Sequence, residues 1–195
     1  MYYCLLLLSL FMSSALADEV AGFDIGGPLK DDQHYTEIEN QPKNSHLYHV
    51  DKVKFFDYAR LTTDDKRIIK NLFFYKTYHV SIATVGVESQ TILKDFKRIL
   101  ASLEKRYGEF DKQDAQRLLG FMGKMSSFYF QKIDERAYAV PKKTKSIGAI
   151  LLRLSSPDKL NFALETKPVI LSLMYIDKAT FAESVKKSNA ETEGF

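Results

Sequence analysis

Four histidines, His34, His46, His49 and His79, are the side chains of this sequence best suited to proton transfer or metal binding near neutral pH. His46 and His49 stand three apart, so a helix would bring both to one metal, with Asp51 or Asp57 as a third ligand. Tyr48 and Val50 mark that stretch as a strand instead, where residues three apart point to opposite faces. No further ligand pair follows at a recognised zinc spacing, so no metal site is expected. Ser126-Ser127 lies outside any Gly-x-Ser-x-Gly elbow. Gly26-Gly27 is not followed by the Lys-Ser/Thr of a phosphate loop. The acidic pairs Glu37/Glu39 and Asp64/Asp65 sit in polar runs, the usual setting of solvated charge. The expectation is a non-catalytic protein with no cofactor.

The aromatic residues point elsewhere. Tryptophan is absent, while 14 Phe and 11 Tyr are present, several in runs of strand character. Phe56 with Tyr58, Phe73 with Tyr75, and Leu173 with Tyr175 each share a face by alternation, and Tyr129 opposes Phe128 and Phe130. A sheet face left open would present these rings, which are enriched at the energetic centres of protein interfaces. The expected partner-binding residues are Phe56, Tyr58, Tyr75, Tyr129 and Tyr175. Lys142, Lys143 and Lys145 form a basic loop beside Arg136 and Tyr138, a place for anionic contact or simply a solvated turn.

The element that must hold such a sheet is the stretch Ser89 to Gly108. Ile92, Phe96, Ile99, Leu100, Leu103 and Tyr107 recur at helical spacing, with Lys94, Asp95, Lys97, Arg98, Glu104 and Lys105 on the other side. Ser89 is the expected N-cap and Gly108 the expected C-terminal stop, with Lys105 and Arg106 complementing the dipole. Before it, Gly22 to Leu29 reads as a short strand and turn, and Lys30 to Asn44 as a loop or loosely docked helix. Tyr48 to Val53 reads as a strand, and two runs around Thr62–Lys66 as a hairpin, with Tyr78 to Ile82 extended and Gly86 a break. After it come an expected helix over Asp111–Met125 and strands over Phe128–Ile133, Ile147–Leu154 and Val169–Ile176. The last two are apolar on both faces, as in the middle of a sheet. A short helix over Ala179–Lys187 follows. This order predicts an α+β fold: an antiparallel sheet with one main helix, about Ser89–Tyr107, and one or two minor helices packed on one face.

Residues 1–17 are expected to be a cleaved signal peptide. Leu5 to Met12 is nearly all apolar and Ala15-Leu16-Ala17 has the small-x-small pattern of a cleavage site, which sets the mature start at Asp18. Cys4, the single cysteine, falls within that segment, so no disulfide is expected in the remainder. Residues 18–187 then form one domain and 188–195 a flexible tail. A cysteine-free exported chain fits a periplasm or a secreted form. The net charge of +3 is too small for a dedicated nucleic-acid binder, and no segment is long enough for a membrane span.

The chain resembles small bacterial periplasmic proteins with a β-lactamase-inhibitor-protein-like fold. The residues that carry this are Gly22-Phe23-Asp24-Ile25-Gly26-Gly27-Pro28-Leu29, the closing Leu103-Glu104-Lys105-Arg106-Tyr107-Gly108, and Leu171-Ser172-Leu173-Met174-Tyr175. That resemblance implies helices on one side of a curved antiparallel sheet and a function in binding proteins; no contact residue carries over. The expectation is an exported protein that binds a protein partner, as an inhibitor or envelope factor. The alternative is a carrier of a small apolar ligand or lipid.

Overall fold

The computed structural model describes residues 19–31, 35–38, 46–50, 53–81, 83–112, 133–156 and 166–193, with side chains to residue 189. The signal segment, Asp18, Tyr129, the Ser126-Ser127 pair, the expected helix beyond Lys112 and the expected strand before Ile133 lie outside these residues. So does most of the connection from Ser155 to Lys167.

The described residues form an α+β fold. A small hairpin, β1 (Glu19–Val20) and β2 (Phe23–Asp24), precedes β3 (Tyr35–Ile38), β4 (His46–Val50), β5 (Tyr58–Thr63) and β6 (Ile69–Ser81). Helix α1 (Val85–Tyr107) follows, then β7 (Asp134–Ala139), β8 (Ile147–Ser155), β9 (Thr166–Asp177) and helix α2 (Lys178–Glu193). The seven strands from β3 to β9 make one antiparallel sheet in the order β3-β4-β5-β6-β9-β8-β7.

The β5–β6 hairpin forms where its sequence says it should. Asp64 accepts from the backbone N–H groups of Lys66 and Ile68 at 3.0 and 2.9 Å, and Arg67 takes a left-handed φ of 59°. Alternation then separates two faces. Leu72, Phe74, Tyr78 and Val80 of β6, with Val169, Leu171, Leu173 and Tyr175 of β9, point to one side and are buried. On that side lies α1, whose Ile92, Phe96, Leu100 and Leu103 join the same core cluster. The Tyr78 hydroxyl donates to Asp95 at 2.7 Å, which gives a polar anchor between strand and helix. Burial, and then that carboxylate, push the Tyr78 phenol well above the ordinary tyrosine range.

Several boundaries differ from expectation. Helix α1 begins at Val85, not after Ser89, with Thr84 as its cap residue. Ser81 and Thr84 exchange backbone-to-hydroxyl bonds (3.2 and 3.1 Å), folding the chain tightly enough to start the helix and place Gly86 inside it. Ser89 is buried and donates to the Gly86 carbonyl. At the other end Gly108 does stop the helix, with φ 97°, a value that costs a residue with a Cβ. Tyr35–Ile38 is a strand within the stretch expected to be loop or helix, held by pairing with β4. β6 is a single strand through Ser81, since β9 pairs with it beyond the reach of β5. The strand Asp134–Ala139 leads into the basic loop, and Asp111 forms a bridge with Tyr138. Helix α2 runs to Glu193, past the expected end at Lys187; its N-terminal amides at Ala179 and Thr180 are held by Asp177 at 2.9 and 3.2 Å.

Helix α2 crosses β8 at Gly148, where an added Cβ would lie 2.8 Å from both Lys178 Cα and Phe181 Cβ. Gly148→Ala is therefore expected to destabilise the fold by about 1–3 kcal/mol and to speed amide exchange in α2, read by urea unfolding and hydrogen exchange. Phe96→Ala, which empties the centre of the helix–sheet layer, should cost about 3–5 kcal/mol in the same unfolding measurement.

Candidate functional site

The side of the sheet away from α1 is built by the intervening residues. Cross-strand pairing aligns them in rows that run across the strands. One row reads His49, Arg60, Phe73, Met174, Leu151, Tyr138, each opposite the next on the neighbouring strand. The adjacent row reads Tyr58, Tyr75, Ser172, Arg153, Arg136. Most of these side chains are half-buried, and Arg60, Arg136 and Tyr138 are exposed. Among the described residues neither helix lies over the Tyr58–Tyr75–Phe73 centre: α1 occupies the other face, and α2 meets β8 and β9 near Gly148.

The rings interlock. Tyr58 and Tyr75 stack with centroids 5.0 Å apart and planes at 21°, and Phe73 stacks on Tyr75 at 6.3 Å and 12°. The Arg60 guanidinium lies 5.5 Å over the Tyr58 ring. Burial, followed by the neighbouring Tyr58, pushes the Tyr75 phenol above its ordinary value.

Of the five expected partner-binding residues, Tyr58 and Tyr75 sit together on this face. Phe56 does not. Residues 54–57 form a bend before β5 begins at Tyr58, so strand alternation does not reach Phe56, which lies on Phe74 at 5.2 Å, against the core. Tyr175 shares its face with Leu173 as expected, but that is the buried face, where it is 4% exposed and 6.1 Å from Tyr107. It is unavailable to a partner in this conformation. Tyr129 lies outside the described residues. Arg60, Met174, Leu151 and Arg153 join the surface through strand register, which the sequence does not spell out; Phe73 was visible as the partner of Tyr75.

At the β7 end, Asp134 accepts from Arg136 (2.8 and 3.1 Å) and from Arg153 Nε at 2.7 Å. These two guanidinium groups hold its carboxyl well below the usual carboxylate range. The histidines are divided as strand geometry requires. His46 bonds Glu37 at 2.8 Å, with Asp65 at 3.9 Å, while His49 is on the opposite side at 6.5 Å from Tyr58. Among the described residues no group of three or more His, Cys, Asp or Glu could hold a metal ion. Nor is any described helix long and apolar enough to cross a membrane.

No family model, curated protein or solved structure matches the chain.

The Asp134 cluster yields a pH test. Because folding lowers this pKa, its stabilisation is complete above the unfolded value near 3.9 and is lost as the pH falls through and below it. Asp134→Asn should be less stable than the parent at pH 7, and the gap between the two denaturation midpoints should narrow from about pH 4 downward.

Proposed function

We propose that the chain is an exported, non-catalytic binding protein that engages a protein partner through the sheet face opposite α1. The observation that carries this reading is the composition of the two central rows. They hold Tyr, Phe, Met, Leu, His, Ser and Arg, and no Lys, Glu or Asp, in a chain with 28 Lys and Arg and 25 Asp and Glu. Aromatic residues, Met and Arg are the types enriched at the centres of protein interfaces, and Lys, Glu and Asp the types depleted there. Stacked rings set on a seven-stranded sheet are also rigid, so binding would cost little side-chain entropy.

The carrier alternative requires room between helix and sheet. That layer is filled by Ile92, Phe96, Leu100 and Leu103 against Phe74, Leu171 and Leu173, all nearly or fully buried. This favours the surface over an interior site. The apolar start of the chain, with Ala15-Leu16-Ala17, supports export to a periplasm or beyond and a mature chain beginning at Asp18. The resemblance to β-lactamase-inhibitor-like periplasmic proteins points the same way, towards an inhibitor or an envelope factor.

A photoreactive phenylalanine analogue at position 58 or 75 tests the face in cells that express the full chain. Each position should give a discrete protein adduct, whereas the same analogue at exposed Lys94, on the outer side of α1, should give none. No adduct from either face position, or the same adduct from Lys94, would overturn the proposal.

A further inference from the structure

A second surface, separate from the sheet face, lies where α1 ends. Gly108 turns the chain out of the helix, and Asp111 then exchanges two backbone hydrogen bonds with Tyr138, at 2.8 and 3.0 Å. That bridge pins the end of α1 to β7, whose continuation is the loop of residues 140–146. Lys105 and Arg106, from the last helical turn, therefore line a shared cleft with Lys142 and Lys143, which are remote in sequence, and the Arg106 guanidinium donates to the Glu19 carbonyl at 3.1 Å. The cleft has a volume of about 530 Å³, with Tyr107, Val140 and Pro141 among its walls. This is a size that suits a small ligand.

The loop is fixed, not draped. Pro141 and Thr144 are buried, and the Thr144 hydroxyl is bonded to the carbonyls of Ile147 (2.7 Å) and Pro141 (3.3 Å). The Lys178 amine holds the Thr144 carbonyl from the start of α2. With both anchors facing inward, Lys142 and Lys143 between them are held outward and exposed. Two carboxylates also line the cleft, Glu104 and Glu109. Glu104 is engaged by Lys112 at 2.6 Å, which removes most of its pull on the other cations. Among the described residues Lys105, Lys142 and Lys143 line the cleft without an ion pair, and a bound anion would relieve their mutual repulsion.

We propose that this cleft binds a phosphate-bearing ligand, its anionic group held by Lys105, Lys142 and Lys143 and its remainder resting on Tyr107 and Pro141. Lysine ammonium groups act on phosphate as point charges and do not demand the planar fit of a carboxylate. The phosphate could belong to a free ester or to the headgroup of a lipid; the chemistry of recognition is shared.

Two arms test this on the full mature chain and on a Lys142→Glu/Lys143→Glu variant, whose changes are on exposed side chains. In the first, inorganic phosphate is titrated while amide resonances are followed. Saturable shifts are expected at Lys105, Gly108, Lys142 and Lys143, with binding on the order of tenfold weaker in the variant. In the second, sedimentation with phosphatidylglycerol vesicles is compared with phosphatidylcholine vesicles. Binding to the former alone, lost in the variant, assigns the phosphate to a lipid; saturable phosphate shifts without sedimentation assign it to a soluble ester. Shifts that rise linearly, spread over all exposed lysines or persist unchanged in the variant would overturn the proposal. Vesicle binding that the variant leaves intact would overturn it too.

Discussion

The ladder between β6 and β9 decides what every other part of the sheet can do. Eleven consecutive residues, Asn71 to Ser81, pair with Ile176 down to Thr166. Side chains in a strand alternate, so this one register sends Phe74, Tyr78, Leu171 and Leu173 to the core and Phe73, Tyr75 and Met174 to the other face. A slip of one residue would exchange the two sets. It would also put Lys76, Thr77 and Ser172 in the wrong layers. Burial of a full apolar set against α1, each large side chain contributing roughly 2–3 kcal/mol, is what makes such a slip costly. The composition of the face opposite α1 is thus a consequence of the packing on the α1 side.

Much of this was legible in the sequence, for local reasons. The apolar stripe from Ile92 to Tyr107 is written in residues three and four apart, so the helix and its buried face could be read directly. The hairpin at Asp64–Arg67 and the strands β8 and β9 are also local patterns. What could not be read depends on distant partners or on single backbone angles. β3 is polar enough to pass for loop, and β4 makes it a strand. Phe56 and Tyr58 look like one face, but the bend over residues 54–57 leaves Phe56 outside the strand. Tyr175 carries the same sequence signal as Tyr75, but only its pairing with Leu72 and Ile150 shows that it is buried. The end of α2 was hidden for another reason: Ser188 to Glu193 has no apolar face to announce a helix.

The two surfaces have different characters. The sheet face offers rigid aromatic rings with arginines between them, spread across β4 to β7 through the central strands, as suits an extended protein contact. The cleft at the end of α1 is smaller and basic, and its lysines come from two segments joined by the Asp111–Tyr138 bridge. The cleft is walled in part by Tyr107, which also packs against the core.

Hydroxyl-radical footprinting of the full chain measures the solvent exposure of the aromatic face. Tyr58, Phe73, Tyr75 and Met174 should be oxidised many times faster than Phe74, Tyr78 and Tyr175, which differ from them chiefly in the side of the sheet they occupy. Equal protection of the two sets would contradict the account, because it would mean that the face opposite α1 is covered.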